Sequence, residues 1–348
     1  MTPTTGVPDV LERARQACTP AMQAAIERLA PHVRRLATYH LGWTDAEGRP
    51  RSAPGGKGIR PALSVLSAEA SWAPVEVGVP GGVAVELVHN YSLIHDDIID
   101  EDTERHHRPT VWSQYGVGPA IIVGDALENL AHQVLLEASA ETGASASAAL
   151  AAATAEMITG QADDIAFESR RSVGVDECMA MSEAKTGALL GAASSMGAIL
   201  AGAPPATVGA LRDFGRHLGL AFQAVDDLLG IWGDPARTGK PAGNDLRQRK
   251  KSMPVVSALA AGGDEADELR ALLLGDPESD VTSLPPLTPE QVARATYLVD
   301  ACGGREWTSV RAKAHLDTAL GALERVRLSA VPHRELADLA VFVVEREA

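Results

Sequence analysis

A chain of 348 residues that is 45% hydrophobic but only 4% aromatic has the aliphatic material for one large all-α domain spanning residues 1–348. Its formal net charge of −15 excludes a general phosphate-backbone binder, because nucleic-acid recognition needs a basic face. Cys18, Cys178 and Cys302 stand far apart, in neither a zinc spacing nor a disulfide framework, and the N-terminal segment has no basic start followed by an apolar core, so a cytoplasmic protein without a signal peptide is expected.

In chain order, helical periodicity recurs and strand alternation does not. Helices are expected over residues 9–41, 61–71, 81–100, 118–139, 146–168, 176–201, 207–230, 251–261, 289–302, 306–328 and 334–347. The breaks carry Pro, Gly or Asp: Ala53-Pro54-Gly55-Gly56, Gly233-Asp234-Pro235, Gly239-Lys240-Pro241 and Leu284-Pro285-Pro286. Residues 276–289 read as a mobile surface loop. The charge-free run 186–211 is largely Gly, Ala and Ser and includes Pro204-Pro205, so it reads as a buried, close-packed helix and not as a membrane span. No stable membrane insertion follows, and no linker is long enough to split two domains.

Two acidic clusters carry the chemistry: Asp96-Asp97-Ile98-Ile99-Asp100 and Asp226-Asp227-Leu228-Leu229-Gly230, each inside an apolar helical stretch. Like charges at helical spacing repel, and carboxylates near apolar surface are unfavourable unless paired or metal-bound. Asp96 and Asp100 lie seven and eleven residues after His89, which puts all three along one helix face. Carboxylates four apart suit magnesium, which binds one or two of them together with substrate phosphates and water. The second cluster follows Phe222-Gln223 on another helix, and the two helices are expected to face each other across a bundle interior. After it, Gly-Asp-Pro-Ala-Arg-Thr-Gly-Lys-Pro at 233–241 presents Lys240 for a phosphate oxygen. Gly55-Gly56-Lys57-Gly58-Ile59-Arg60-Pro61 precedes a helix and reads as an anion site through Lys57 and Arg60. Neither a Walker spacing nor a GxGxxG after a strand is present, so nucleotide chemistry is not expected.

Taken together, these motifs resemble the trans-type isoprenyl diphosphate synthases. The matches run in family order: Gly-Gly-Lys-x-x-Arg-Pro at 55–61, Glu-Leu-Val-His-Asn-Tyr-Ser-Leu-Ile-His-Asp-Asp-x-x-Asp at 86–100, Arg-Pro-Thr at 108–110, Gly160-Gln161, Lys185-Thr186-Gly187, Phe222-Gln223-x-x-Asp226-Asp227, and Gly239-Lys240-Pro241 with Asp245-Leu246. The resemblance implies a bundle of long helices around a deep central cavity, as a homodimer, extending an allylic diphosphate with isopentenyl diphosphate. It further implies three magnesium ions when substrate is bound. Asp96, Asp100 and Asp226 would be the main ligands, with Asp97 and Asp227 in support. Lys185, Thr186, Gln223, Lys240, Lys250 and Arg105 would hold the allylic diphosphate, and Lys57, Arg60 and His89 that of isopentenyl diphosphate. Such a site needs no protein nucleophile: ionisation leaves negative charge on diphosphate, and cations aimed at those oxygens stabilise the transition state.

In this family, an aromatic residue five before the first aspartate with a small neighbour looks like the pattern of synthases that stop at geranylgeranyl diphosphate, with farnesyl diphosphate next. Here these are Tyr91 and Ser92, and Tyr91, ~7 Å below Asp96 along the helix axis, would be the cavity floor. Three positions depart from the family pattern. His106 follows Arg105 where a second arginine is common, which would make one contact to isopentenyl diphosphate weaker or pH-dependent; Gly230 stands where an aspartate is common, and Gly58 where a basic residue is frequent. Two other readings remain open on the same scaffold: a terpene cyclase or lyase, and a non-catalytic partner subunit of another synthase.

Overall fold

The computed structural model describes residues 6–51, 58–234 and 242–345. It is built from helices: α1 (Val7–Glu27), α2 (Pro31–His40), α3 (Ile59–Ala70), α4 (Val75–Ile99), α5 (Val111–Tyr115), α6 (Val117–Ala138), α7 (Gly143–Ser169), α8 (Val175–Ser182), α9 (Ala188–Leu200), α10 (Pro205–Trp232), α11 (Asn244–Arg247), α12 (Met253–Ala260), α13 (Asp264–Leu274), α14 (Pro289–Ala301), α15 (Gly304–Leu323) and α16 (Ala330–Glu345). Among the described residues the one sheet is a hairpin of two-residue strands, β1 (Glu104–Arg105) and β2 (Arg108–Pro109).

The expected all-α class holds, with instructive differences. The first predicted helix is two, because Pro31 cannot continue α1 and instead opens α2 at its first position. Helix α13 has no counterpart in the expected elements: its first turn is acidic, Asp264, Glu265 and Asp267, and it buries Ala266, Leu269, Leu273 and Leu274. The predicted 176–201 helix is α8 and α9 joined by a π-helical turn, Glu183–Gly187. The segment 276–289 holds a 3-10 turn, Val281–Ser283, and buries Val281 and Leu287 in a core with Ile231, Val255, Leu273 and Leu298. Arg171 donates to the Ser279 and Gly275 carbonyls and ties that segment down.

Internal contacts divide the chain into two compact units. One comprises 1–154, 191–212 and 323–338; the other 155–190, 213–322 and 339–348. Each crossing falls inside a helix (α7, α9, α10, α15 or α16), so no boundary coincides with an interhelical linker.

In the first unit, α3, α4 and α9 approach backbone to backbone. A Cβ on Gly78 would stand 2.7 Å from the Ser64 carbonyl oxygen and the Val65 Cα, and one on Gly197 would overlap the Ser64 carbonyl oxygen. Ser64, Ser67, Ser194 and Ser195 are buried in the same region, with the Ser64 hydroxyl donating to the Gly78 carbonyl. The Gly/Ala/Ser composition of 187–200 is thus used for close packing, whereas 201–206, around Pro204-Pro205, is a largely exposed turn into α10, so the expected single buried helix over 186–211 ends at Leu200. No helix among the described residues is long and apolar enough to cross a membrane.

Substituting Gly197→Ala sets two effects against each other. Alanine favours a helix interior by ~1 kcal/mol over glycine, but its methyl must displace backbone of α3 in a packed core, which costs ~1–3 kcal/mol or more. Backbone cannot yield cheaply, so urea unfolding of Gly197→Ala should show a lower midpoint than the parent; an equal or higher midpoint would contradict the packing described.

Candidate active site

In the first unit, α4 carries the first acidic cluster at its C-terminal end. Successive residues on a helix point ~100° apart, and the cluster splits accordingly: Asp96 is half-buried, Asp97 buried and Asp100 exposed. Asp97 Oδ1 accepts from both Arg105 Nε at 2.8 Å and Nη2 at 2.7 Å. Its Oδ2 is buried without a hydrogen-bond donor among the described residues, and burial, opposed by Arg105, pushes the carboxyl above its usual range. Arg105 is delivered by the β1–β2 hairpin, in which Glu104 pairs with Pro109 and Arg105 with Arg108. Its two-residue turn is His106-His107, with φ of +51° and +58°. Both central residues being left-handed is the type I′ geometry that suits hairpin twist, and histidine tolerates it better than most non-glycine residues. The Arg-Pro-Thr motif anchors this hairpin: Arg108 donates to the Tyr39 carbonyl at 2.8 Å, and Thr110 and Trp112 both donate to the Asp102 carbonyl at 2.9 Å. His106 itself is exposed.

Nearby, Arg60 opens α3 while Glu86, His89 and Asn90 lie on α4 and His40 on α2. Arg60, Glu86, His89 and His40 keep accessible surface, yet each is heavily desolvated by the atoms around it, the combination expected of a recess. Burial, then Arg60, His40 and Arg105, pull His89 well below its ordinary 6.5, and burial, then Arg105, pull His40 down to about 4. Arg60 and Arg105 supply positive charge here, the two neutral imidazoles add hydrogen-bonding groups, and Glu86 opposes the arginines, so any anion would be held through the two guanidinium groups. Tyr91 points elsewhere on the same helix: its ring packs edge-on against His95, centroids 4.8 Å apart, and the absence of a side chain at Gly124 of α6 makes room for the His95 ring.

In the second unit the other cluster divides the same way, with Asp226 exposed and Asp227 buried. Asp227 Oδ1 accepts from Gln223 Nε2 and Oδ2 from the Met253 N–H, each at 2.8 Å. Gln223 in turn accepts from Thr186 Oγ1 at 2.8 Å. Burial lifts the Asp227 carboxyl to about 6 against Lys250 and these donors. Burial lowers Lys250, but Asp227, Asp245, Asp164 and Asp226 outweigh it and hold the ammonium above its ordinary value. Lys185 donates to Asp164 Oδ2 at 2.6 Å. It sits on the π-helical turn, where one extra residue per turn presents Lys185 and Thr186 together. Gly160 of α7 admits that turn: any Cβ there would overlap the Lys185 backbone.

Thus Asp97 with Arg105, and Thr186 with Gln223, Asp227 and Lys250, come together within their units. Lys57 and Lys240 lie outside the described residues. Asp164, Asp245, His40, Asn90 and Glu86 were not anticipated. Asp245, Glu86 and Asn90 fall within quoted motifs and Asp164 three residues after Gly160-Gln161, but nothing in the linear order pairs the two aspartates with lysines. Gly230 has a structural reason: a Cβ there would stand 2.5 Å from Asp245 Cγ and 2.7 Å from its Oδ1, so Asp245 fills the space a side chain would need.

For magnesium, the candidate donors are hard carboxylate oxygens on the outer aspartates, and Asp97 Oδ2, which has no donor among the described residues, is one more acceptor. Among the described residues no three acidic, His or Cys side chains converge on one point. Such a donor set fits an ion that completes its shell with substrate oxygens and water.

The chain matches the polyprenyl synthetase family over residues 49–285. It is 46% identical over 339 residues to a (2E,6E)-farnesyl diphosphate synthase of Mycobacterium tuberculosis, with 97% of this chain and 93% of that protein aligned. A geranylgeranyl diphosphate synthase of the same organism is 41% identical over 339 residues, at the same coverage of 97% and 93%. The crystal structure of a polyprenyl synthetase from Streptomyces coelicolor A3(2) superposes with a TM-score of 0.91 at 50% identity, covering 97% of this chain and 99% of that one.

The recess generates a pH prediction. A base held below its ordinary 6.5 in the fold binds fewer protons folded than unfolded, so its contribution to stability is complete above 6.5 and is lost as pH falls toward 4. The urea midpoint should therefore fall across that window, and His40→Asn should fall less steeply. Parallel slopes would mean that His40 is not buried as a neutral imidazole.

Proposed function

We propose, for a chain that belongs to the polyprenyl synthetase family and is a trans-prenyltransferase condensing isopentenyl diphosphate with allylic diphosphates, that its main product is geranylgeranyl diphosphate. The observation that carries the site reading is the shared division of the two clusters, an outward aspartate beside an inward one clamped by hydrogen bonds. The inward Asp97 and Asp227 fix their helix faces; the outward Asp96, Asp100 and Asp226 are the magnesium ligands.

The family generally uses magnesium, and we assign three ions to the substrate-bound enzyme. When bound, they supply Lewis-acid neutralisation of the leaving diphosphate. The chain's own groups do the rest. Lys185, Thr186, Gln223, Lys240, Lys250 and Arg105 bind and orient the allylic diphosphate, and the lysines offset charge as the carbon–oxygen bond breaks. Asp164 keeps Lys185 in place, and the four acids around Lys250 keep it charged. Arg60 and His89, with Lys57, hold isopentenyl diphosphate so that its double bond meets the allylic cation. His106 adds a contact weaker than arginine's. The departing diphosphate accepts the final proton, and an aliphatic lining keeps water from the cation.

Tyr91, braced by His95, is the assigned cavity floor and the basis for a C20 product. A C15 product is the second reading, favoured by the higher identity to the farnesyl diphosphate synthase. A homodimer accompanies either: Val117, Ile121, Ile122 and Leu136 expose apolar side chains on α6 that a second copy would cover. We place the protein in the cytoplasm, where its three free thiols stay reduced.

Pure protein with isopentenyl diphosphate and dimethylallyl, geranyl or farnesyl diphosphate should give longer diphosphates only with magnesium, and Asp226→Asn should lower kcat/KM by ~10²-fold or more. Hydrocarbons or alcohols from an allylic substrate alone would instead identify a cyclase, and no turnover at all a partner subunit. Tyr91→Ala should lengthen the products, with the solution mass remaining twice that of the chain; an unchanged product distribution would remove Tyr91 from the floor.

A further inference from the structure

Helix α11 is short, yet the peptide that leaves it carries Lys250, a ligand of the allylic diphosphate, and then the Met253 N–H that clamps Asp227. How α11 ends therefore decides where both groups stand. The Arg249 N–H donates to the Leu246 carbonyl at 3.0 Å and the Lys250 N–H to the Asp245 carbonyl at 2.9 Å, with Arg249 left-handed at φ +52°. This pair of bonds is the Schellman closure, whose left-handed residue is usually glycine because any side chain there strains the backbone. Here it is an arginine, so the side chain needs a reason.

That reason lies in α13. Its first turn is acidic and its last turn holds no basic residue, so the carbonyls that gather negative charge at its C-terminal end are answered from other segments. Arg249, half-buried, donates Nε to the Leu273 carbonyl at 2.9 Å. Arg171 joins it at the same end, donating to the Gly275 carbonyl at 3.1 Å and the Ser279 carbonyl at 2.9 Å. Beyond Arg249 the ties continue at every second residue. The Lys251 carbonyl accepts from Cys178 Sγ of α8 at 3.4 Å, and the Met253 N–H donates to Asp227 of α10 at 2.8 Å. Lys250 stands between the tie to α13 and the tie to α8, so the direction of its side chain is set by how firmly those two hold.

We propose that Arg249 is a positioning residue: its guanidinium, anchored on the C-terminal end of α13, fixes the left-handed exit from α11 and so aims Lys250 at the allylic diphosphate. This rests on the assignment of Lys250 to that diphosphate. Anchor and backbone predict different results for one substitution. Glycine at 249 keeps both Schellman hydrogen bonds and relieves the left-handed strain, but it cuts the tie to α13. If Arg249 were only a turn residue, Arg249→Gly would leave the kinetics unchanged; if its side chain aims Lys250, the same change weakens the handling of the allylic substrate although the backbone is relaxed.

The experiment is steady-state kinetics on the full chain with magnesium, for the parent, Arg249→Gly, Lys250→Ala and the double variant, with far-UV circular dichroism and the thermal midpoint as controls for folding. Arg249→Gly should lower kcat/KM for the allylic diphosphate ~10-fold, leave KM for isopentenyl diphosphate within ~2-fold, and add nothing in the Lys250→Ala background, as expected for two residues acting through one ammonium. An unchanged or higher allylic kcat/KM in Arg249→Gly overturns the proposal, as does an effect that multiplies with Lys250→Ala or a KM for isopentenyl diphosphate that shifts as far as the allylic ratio. If Lys250→Ala itself leaves the allylic kcat/KM unchanged, the underlying site assignment fails and the positioning role falls with it. Should Arg249→Gly not fold, Arg249→Met, which keeps the bulk and the left-handed backbone but has no donor, must still lower the same ratio selectively; no loss overturns the proposal.

Discussion

Burying a carboxylate is unfavourable unless its charge is matched, and this chain buries two of them in the middle of its acidic clusters. Asp97 is matched by Arg105, reached through a hairpin; Asp227 by a glutamine, a backbone N–H and the field of Lys250. Each match requires a separate piece of chain to arrive in register. The hairpin turn, the Arg-Pro-Thr anchor and the approach of α12 to α10 follow from that need as much as from any contact with substrate. The aspartates before them, Asp96 and Asp226, remain at accessible positions because their neighbours carry the cost of orientation.

A second constraint is close approach without side chains. Gly160 admits the π-helical turn that carries Lys185 and Thr186, and Gly219 and Gly187 bring α10 against that same turn, a Cβ on Gly219 standing 2.7 Å from the Gly187 Cα. Lysine at the turn then finds Asp164, while Arg216 ties the turn to α7 through Glu183 and Glu156. Local irregularity is held from several sides, so that a lysine and a hydroxyl present themselves without mobility in the backbone that bears them. The same economy of side chains appears in the first unit at Gly78, Gly81, Gly82 and Gly197, where Ala, Ser and Gly faces stack.

Two departures from the family pattern look different once the fold is known. Gly230 is compatible with Asp245, whose carboxylate takes the room a residue there would need. His106 and His107 occupy a left-handed two-residue turn, a backbone requirement that an inspection for conserved cations does not register. In both cases the residue present is compatible with a local steric or conformational condition beside the site.

Much was legible beforehand: the all-α class from helical periodicity, the aspartate clusters from the cost of like charges at helical spacing, and the burial of 187–200 from its small residues. These are properties of residues a few positions apart, and a linear sequence records such proximity directly. What it did not record was the break at Pro31, the helix α13, the π-helical turn, and above all the partners: Asp97 with Arg105, Lys185 with Asp164, Gly230 with Asp245, and His40 with Asn90. Charge pairing and burial depend on distance in space, and distance between residues tens of positions apart is decided only when helices pack.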